Sequence, residues 1–245
     1  MTDNITLYNG DCLEIMPRLA RQGVKVDMIL CDLPYGVTNH KDDKPLPFDK
    51  LWECYDAIIS DNGAIVLFAQ GEFYVDMVNS NRKMFKYDLI WDKQLSTGFL
   101  NANRMPLRRH ESIAVFYKKA PVYNPQKSIG EPSHGKGTKY KTQKTVNQNY
   151  GKYKPVETEI STLKHPTSII TFQKPHPSKC VHRTQKPITL LEYLIRTYTN
   201  EGMIVLDNCM GSGSTGVACG NTGRMFIGIE KDDAIFQTAK DRLDV

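Results

Sequence analysis

Residues 26–36 read Val-Asp-Met-Ile-Leu-Cys-Asp-Leu-Pro-Tyr-Gly, an apolar run that ends in an acid, a proline and an aromatic residue. A short apolar run of this kind is typical of a buried parallel strand. Open α/β sheets hold their ligands at the carboxyl ends of their strands. We therefore expect Asp32 and Tyr35 to lie at a ligand-binding edge of a sheet.

A second stretch of similar design lies near the other end of the chain, where residues 204–216 read Ile-Val-Leu-Asp-Asn-Cys-Met-Gly-Ser-Gly-Ser-Thr-Gly. A glycine-rich turn between a strand and a helix lets a ligand approach the backbone closely. Glu230 ends the next predicted strand, where a carboxylate can accept both ribose hydroxyls of a nucleotide-like cofactor. Because no Gly-Lys-Ser/Thr follows the glycines, a phosphate-binding loop is disfavoured.

The carboxylate of Asp207 discriminates between cofactors. It lies at the junction of the predicted strand and the glycine turn. There it would repel the pyrophosphate of a dinucleotide but attract the sulfonium and ammonium groups of S-adenosylmethionine. The second stretch therefore favours a methyl donor over NAD as the cofactor.

The alternation of strand and helix patterns predicts a doubly wound, mostly parallel α/β sheet. Residues 5–8 are predicted to complete its cofactor-binding half, which makes the chain a circularly permuted, Rossmann-like fold. Strands at 87–91 and 112–117 are close enough in sequence to form an antiparallel hairpin at one edge. A helix from Leu51 is predicted to stop at residues 61–63, and residues 37–50 are predicted to form a mobile loop above the site.

Composition and charge narrow the class of protein. The chain has 245 residues, of which 40% are hydrophobic and 24% charged, with a formal net charge of +5. No apolar run approaches the roughly 18 residues that span a bilayer, and the first residues lack the pattern of a signal peptide. We expect a cytoplasmic protein without a membrane partner. The six cysteines form no C-x-x-C pair, so we expect reduced thiols and no metal site.

The chain is predicted to consist of a catalytic half (1–119), an inserted recognition region (120–164) and a cofactor-binding half (165–245). The inserted region is rich in lysine and poor in aliphatic residues, so we expect it to be flexible. Lysines that meet phosphates, beside aromatic and amide groups that reach bases, would explain this composition. A solvated linker is the alternative. The candidate nucleic-acid contacts are Arg104, Arg108, Arg109, Lys136, Lys139, Lys141 and Lys144.

Three short motifs follow one another along the chain, at residues 32–35, 183–187 and 207–213. The first, Asp-Leu-Pro-Tyr, resembles the D-P-P-Y signature of DNA amino-methyltransferases. The second, Arg-Thr-Gln-Lys-Pro, resembles their H-P-T-Q-K-P segment, and the third resembles their D-P-F-x-G-S-G cofactor turn. A catalytic motif first and a cofactor turn last is the order of the β group. Leu33 replaces a proline of the signature, and Asn208 and Cys209 replace the Pro-Phe of the turn.

The resemblance implies S-adenosylmethionine as the cofactor and double-stranded DNA as the substrate. It also implies a homodimer and, in a restriction-modification system, a cognate restriction endonuclease as partners. The implied catalytic residues are Asp32, Leu33, Pro34 and Tyr35. The implied cofactor-binding residues are Asp11, Cys12, Asp32, Lys186, Asp207, Asn208, Gly211, Ser212, Gly213 and Glu230.

The chemistry of these residues agrees with the resemblance. An exocyclic amine of adenine or cytosine is a poor nucleophile because its lone pair is delocalised into the ring. Acceptors for both N–H groups, the Asp32 carboxylate and the Leu33 carbonyl, would localise that pair for in-line methyl transfer. Tyr35 offers a face on which a flipped base could stack. The N6 amine of adenine is favoured over the N4 amine of cytosine, because the cytosine-N4 members more often carry serine in place of Asp32.

Other interpretations of the same residues stay open. Asp11 and Asp32 could be helix caps, Tyr35 a surface aromatic residue and Lys186 a solvated charge. A non-catalytic DNA-binding protein of the same fold is the alternative of a different class. Neither the motifs nor the charge separates RNA from DNA as the substrate.

Overall fold

The computed structural model describes residues 4–36, 44–131, 146–147, 151–152, 161–174 and 185–245. The chain divides into two units, the first within residues 1–124 and 167–245 and the second within residues 125–166. The strands are β1 (Ile5–Asn9), β2 (Val26–Asp32), β3 (Ile59–Ala69), β4 (Phe85–Thr97), β5 (Arg108–Phe116), β6 (Ser128–Ile129), β7 (Val146–Asn147), β8 (Gly151–Lys152), β9 (Leu163–Lys164), β10 (Ile169–Thr171), β11 (Ile204–Asp207) and β12 (Met225–Glu230). The helices are α1 (Cys12–Arg21), α2 (Phe48–Ile58), α3 (Gly71–Ser80), α4 (Ile188–Tyr198), α5 (Ser214–Thr222) and α6 (Asp233–Leu243).

The first unit is built on one sheet with the strand order β1-β12-β11-β2-β3-β5-β4-β10. β5 runs antiparallel to both of its neighbours, and the other pairings in this sheet are parallel. The predicted mostly parallel sheet with an antiparallel hairpin is therefore confirmed. The hairpin of β4 and β5 does not form the edge itself, because β10 pairs with β4 outside it. In the second unit, β6 pairs with β9 and β7 with β8.

Helices cover both faces of the main sheet. Apolar side chains of α1, α2 and α3 pack in one buried layer, and those of α4, α5 and α6 pack in the other. The run Met28–Leu30 in β2 is completely buried, as expected for a strand that has helices on both sides. No helix among the described residues is long and apolar enough to cross a bilayer.

The parallel strands place their carboxyl ends at one edge of the sheet. Asp32 at the end of β2 is in register with Phe68 near the end of β3, and Asp207 at the end of β11 is in register with Gly228 of β12. β5 runs the other way and pairs Ser112 with Ala69 at the end of β3. Its amino end, and thus the connection from β4 to β5, projects from the same edge as Asp32.

Two local predictions in this region are wrong. Residues 61–63 do not stop a helix but lie inside β3, because Ile59 already pairs with Val26 of β2 and the register shifts before the next pair. Strand pairing here outweighs the local turn preference of Asp-Asn-Gly. The loop predicted over residues 37–50 also extends too far, because α2 already begins at Phe48. Residues 37–43 of that loop lie outside the described residues.

Candidate active site

Asp32 and the glycine turn, far apart in sequence, line one cavity at the carboxyl edge of the sheet. β2 and β11 are neighbours in the sheet, so the groups that follow their ends converge. The cavity has a volume of about 110 Å³. Its lining includes Asp32, Phe68, Gln185, Lys186, Asp207, Cys209, Met210, Gly211, Ser212 and Thr215.

Both oxygens of the Asp32 carboxylate accept hydrogen bonds from side chains. The Tyr35 hydroxyl donates to Oδ1 at 2.6 Å, and the Lys186 ammonium donates to Oδ2 at 2.6 Å. The Asp32 side chain stays 30% exposed, and no helix begins immediately after it. Asp32 is therefore held as an acceptor that faces the cavity, and the helix-cap interpretation is wrong.

Lys186 belongs to a chain of alternating charges. Its ammonium lies 3.3 Å from Oε2 of Glu111, and the ammonium of Lys93 lies 3.2 Å from Oε1 of the same carboxylate. The side chains of Lys93, Glu111 and Lys186 are only 4%, 11% and 12% exposed. The chain Lys93–Glu111–Lys186–Asp32 thus balances two positive and two negative charges, and Lys186 is not a solvated charge.

The pKa shifts along this chain follow from burial and from the neighbouring charges. Burial alone would lower the pKa of Lys186, but Asp32 and Glu111 outweigh it and raise that pKa. Burial would raise the pKa of Glu111, but the two lysines outweigh it and lower the pKa. Burial lowers the pKa of Lys93 in spite of Glu111. Burial and then the charge of Asp32 raise the pKa of Tyr35, which keeps its hydroxyl protonated as a donor.

Sequence reasoning missed Glu111 and Lys93. Glu111 lies at the start of an apolar strand, where an acid is ordinarily solvated, and Lys93 lies in the neighbouring strand β4. The register that pairs Glu111 with Trp91 brings the two strands together. A lysine and a glutamate in adjacent, hairpin-linked strands are a weak signal for a charge pair, and nothing local links Glu111 to Lys186.

Asp207 lies in a different environment from Asp32. Its Oδ2 accepts a hydrogen bond from the Thr215 hydroxyl at 2.6 Å, and its Oδ1 accepts one from the Cys209 amide at 3.1 Å. Burial raises the pKa of Asp207 to about 6, against the lowering effect of these two hydrogen bonds. In the described part of the chain no ion pair involves Asp207. The site thus holds a buried carboxylate that a cationic ligand would stabilise.

Glu230 fixes the backbone of the glycine turn through a hydrogen bond. Gly211 and Gly213 have φ angles of +53° and +77°, a region that favours glycine. The Gly211 amide donates to Oε2 of Glu230 at 3.0 Å, while Oε1 accepts the amides of residues 231 and 232. Ser212, which is buried, accepts hydrogen bonds from Arg242. Glu230 therefore shapes the turn, and a carboxylate can accept further bonds through its remaining lone pairs.

Asp11 and Cys12, predicted to bind the cofactor, begin α1 beside this edge. The Asp11 carboxylate accepts the Leu13 amide at 2.9 Å as a helix cap, and it also pairs with Lys231 at 3.1 Å. The simple interpretation of Asp11 as an N-cap is confirmed. Asn208 donates to the Cys12 sulfur at 3.7 Å and accepts the Tyr55 hydroxyl at 2.7 Å. Asn208 thereby ties the turn to α1 and α2.

Tyr35 lies between the small cavity and a larger one. Its ring packs on Phe73 with 4.8 Å between ring centroids, and it lines a cavity of about 490 Å³ together with Phe48, Gln70 and Arg108. The Leu33 side chain is buried and Pro34 is half-buried. Tyr35 therefore links the two cavities, because its ring lines the larger one and its hydroxyl donates to Asp32, which lines the smaller one.

The candidate nucleic-acid contacts fall into two groups. Arg104, Arg108 and Arg109 are exposed at the connection from β4 to β5, and Arg109 is paired with Asp92 at 2.8 Å. Lys136, Lys139, Lys141 and Lys144 lie outside the described residues.

A three-layer α/β/α fold with an acid and a glycine turn in one cleft defines a class of enzymes that bind a nucleoside-type cofactor at the strand ends. The comparisons with known proteins give the family. The chain belongs to the N6/N4 DNA methylase family, whose model matches residues 26–241.

Individual relatives agree with this assignment. The chain is 30% identical over 236 residues to the type II methyltransferase M.HpaI of Haemophilus parainfluenzae, covering 89% of this chain and 68% of that protein. It is 27% identical over 263 residues to the DNA adenine methyltransferase YhdJ of Escherichia coli K12, covering 98% and 83%. Its structure is similar to the crystal structure of the M1.HpyAVI-SAM complex, with a TM-score of 0.67, 29% identity, and 98% and 100% coverage.

Proposed function

We propose that the protein is an S-adenosylmethionine-dependent DNA methyltransferase that acts on the N6 amine of adenine. One observation carries the proposal: the Asp32 carboxylate and the turn from Asp207 to Ser212 line the same cavity. A methyl donor bound at the turn would therefore lie next to Asp32, the acceptor for the substrate amine. Membership of the DNA methylase family gives the reaction class.

The residues of the glycine turn fit S-adenosylmethionine. Asp207 is a buried carboxylate without an ion-pair partner in the described residues and has a raised pKa, so a cation beside it is favourable. The positive φ angles of Gly211 and Gly213 keep the turn open to a ligand. Asp207, Gly211, Ser212 and Glu230 would hold the cofactor, with Cys12, Asn208 and Gly213 supporting the turn and Asp11 lying at the same edge of the sheet at the start of α1. When bound, the cofactor supplies an electrophilic methyl group on its sulfonium.

Asp32 and Leu33 would prepare the amine for attack. One N–H of the amine donates to the Asp32 carboxylate and the other to the Leu33 carbonyl, which localises the nitrogen lone pair. The oxygens of Asp32 keep lone pairs for this although Tyr35 and Lys186 already contact them. Lys186, predicted as a cofactor contact, would instead fix the orientation of Asp32. Pro34 stiffens the segment that carries both acceptors.

The larger cavity beside Tyr35 would receive the target base. Phe48, Phe73 and Tyr35 give it aromatic walls, and Gln70 and Arg108 give it polar ones. A base inside a duplex cannot reach Asp32, so it must leave the stack and enter a pocket of this kind. Adenine is supported by the acid at position 32, and one relative that aligns over nearly the whole chain is named a DNA adenine methyltransferase.

The wider features of the proposal rest on resemblance and composition. Residues 120–164, with their lysines, would form the recognition region, and the order of the motifs supports a permuted, β-group enzyme. A homodimer, a cognate restriction endonuclease and a cytoplasmic location belong to the same proposal.

Nucleoside analysis tests the proposal. Unmethylated duplex DNA is incubated with the protein and methyl-labelled S-adenosylmethionine, then digested to nucleosides. We expect label in N6-methyl-2′-deoxyadenosine for the wild type and none for Asp32→Ala. Label in N4-methylcytosine alone would overturn the base assignment, and DNA binding without any transfer would make the protein a non-catalytic binder.

A further inference from the structure

The connection from β4 to β5 exposes apolar side chains beside the active site. Phe99 and Leu100 are 78% and 83% exposed, and Leu95, Met105 and Leu107 are also exposed. We call residues 94–109 the hairpin tip. Large apolar side chains exposed together commonly mark an interaction site.

The hairpin tip has a defined backbone. Gly98 has a φ of +87°, and its carbonyl accepts the Asn101 amide at 2.9 Å. The Asn101 carbonyl in turn accepts the amides of Arg104 at 2.8 Å and Met105 at 3.0 Å. These bonds, like that from the Ala102 amide to the Phe99 carbonyl at 3.1 Å, join backbone atoms and do not involve the side chains of Phe99 and Leu100. The exposure of the apolar side chains is therefore a property of a folded turn.

The charge of the hairpin tip favours a polyanion. From Gln94 to His110 the chain carries three arginines and no acidic residue. Arg104 and Arg108 are exposed, and Arg109 is exposed and oriented by Asp92 through two hydrogen bonds. Arginine forks match phosphate geometry. Two copies of this tip meeting about a two-fold axis would instead bring arginines together.

The hairpin tip projects toward the place where DNA would have to lie. β5 pairs with β3 so that its amino end extends past Ala69, at the same edge as Asp32. Arg108 donates to Gln70 at 3.4 Å and lines the 490 Å³ cavity with Tyr35. A duplex whose base occupied that cavity would pass over the tip.

We infer that the hairpin tip is a DNA-opening element, in which Phe99 and Leu100 insert into the base stack beside the extruded nucleotide while the arginines hold the flanking phosphates. The inference rests on the proposed methyltransferase function. Apolar side chains that insert between bases unstack the base step. In the space left by an extruded base, the side chains of Phe99 and Leu100 would be buried and no longer exposed to water.

The first test separates base opening from methyl transfer. The duplex carries the sequence that the wild type methylates, identified by modification-sensitive sequencing. A second duplex places an abasic site opposite the target, so that the base is unpaired beforehand. We expect Phe99→Ala with Leu100→Ala to slow transfer on the paired duplex at least tenfold and to leave the opened duplex near the wild-type rate. Met225→Ala, an exposed apolar residue at the amino end of β12 and thus at the opposite edge, should leave both rates unchanged.

Equal loss on both duplexes, or no loss on either, would overturn the inference. So would sedimentation analysis in which a wild-type dimer becomes monomeric in the double variant, because the tip would then bind a second copy of the chain. A wild type that methylates no DNA refutes the proposed function itself, and the binding test below still decides whether the tip contacts DNA.

The second test uses binding alone. Arg104→Ala should weaken binding to a generic duplex and lower the slope of log K against log salt by about 1. Arg82→Ala is the matched control, since Arg82 is an exposed arginine just before β4 begins, at the opposite edge. Equal slopes for the two variants would exclude the hairpin tip from the DNA interface.

Discussion

Asp32 and Asp207 end neighbouring strands of one sheet and line one cavity, yet the protein surrounds them in opposite ways. Asp32 lies at the end of a chain of alternating charges and receives the ammonium of Lys186. Asp207 accepts hydrogen bonds from uncharged groups, among them the Thr215 hydroxyl and the Cys209 amide, and burial raises its pKa to about 6. Under the proposed function, the protein itself supplies the countercharge of Asp32, whereas a cationic cofactor would supply the countercharge of Asp207.

The largest expected effect comes from removing the charge of Asp32. Asp32→Asn retains the shape but weakens the acceptor for the amine, so single-turnover methyl transfer should fall about 1000-fold. Affinity for S-adenosylmethionine, measured by calorimetry, should stay close to that of the wild type, because the cofactor site lies with Asp207. A parallel loss of cofactor affinity would contradict the separation of the two carboxylates.

Substitution of Glu111, a positioning residue, should have the next largest effect on the rate of methyl transfer. Glu111→Gln leaves Lys93 and Lys186 buried with one countercharge fewer, and a displaced Asp32 can lower the rate by about 100-fold. Because Glu111 helps to raise the pKa of Lys186, its loss lowers that pKa, and the alkaline limit of the pH-rate profile should move to lower pH.

Two variants control the Glu111 experiment. Glu53→Gln changes an exposed acid of α2 and should leave the rate and the pH profile unchanged. Combining Glu111→Gln with Lys93→Met removes one charge of each sign, so the double variant should be more stable to heat than the single one. A pH profile of Glu111→Gln that overlays the wild type would exclude the positioning role.

A smaller effect is expected at Asp207, and it depends on pH. A bound cation favours the carboxylate, so protons compete with the cofactor below about pH 6. The dissociation constant of the wild type for S-adenosylmethionine should rise as the pH falls through 6. The dissociation constant of Asp207→Asn should be about tenfold higher than that of the wild type at pH 7.5 and should change little with pH. Asp241→Asn, at an exposed position, is the matched control.

The raised pKa of Asp207 also predicts how the stability of the cofactor-free protein depends on pH. The folded-state pKa of Asp207 lies above its ordinary value of 3.8, so the folded protein binds this proton more tightly than the unfolded chain does. The stabilising contribution is complete below about pH 4 and is lost as the pH rises through 6, by up to about 3 kcal/mol. Denaturant unfolding of Asp207→Asn should lack this part of the pH dependence.

The smallest effect is expected at the glycine turn. Gly211 has a positive φ, but an added Cβ would meet no atom within 4 Å. Gly211→Ala should therefore cost only backbone strain, about 1 kcal/mol, or about 2–4 °C in Tm. At Gly213 an added Cβ would also approach Leu243 to 3.0 Å, so Gly213→Ala should lower Tm further. Equal losses would mean that side-chain crowding is unimportant here.

The elements that carry local patterns were predictable from sequence. The apolar runs of β2 and β11, and the acids and glycines after them, placed Asp32 and Asp207 at one edge because parallel strands share their direction. Lys186 was predicted as a contact of the cofactor, but its position against Asp32, 154 residues away, depends on tertiary packing. Glu111 was invisible for the same reason.

The hairpin tip shows a second limit. Its arginines were recognised from sequence because charge is visible there. The exposure of Phe99 and Leu100 was not, since an apolar pair in a hairpin ordinarily packs against its own protein. Their exposed fractions of 78% and 83% in the folded turn show that these side chains point away from the core.

A crystal structure of the protein with bound S-adenosylmethionine would show whether Asp32 and Asp207 serve one reaction. We predict that the amino acid part of the cofactor lies beside Asp207 and that its methyl group faces the side of the cavity that holds Asp32. A cofactor bound elsewhere, or one whose methyl group points away from Asp32, would contradict it.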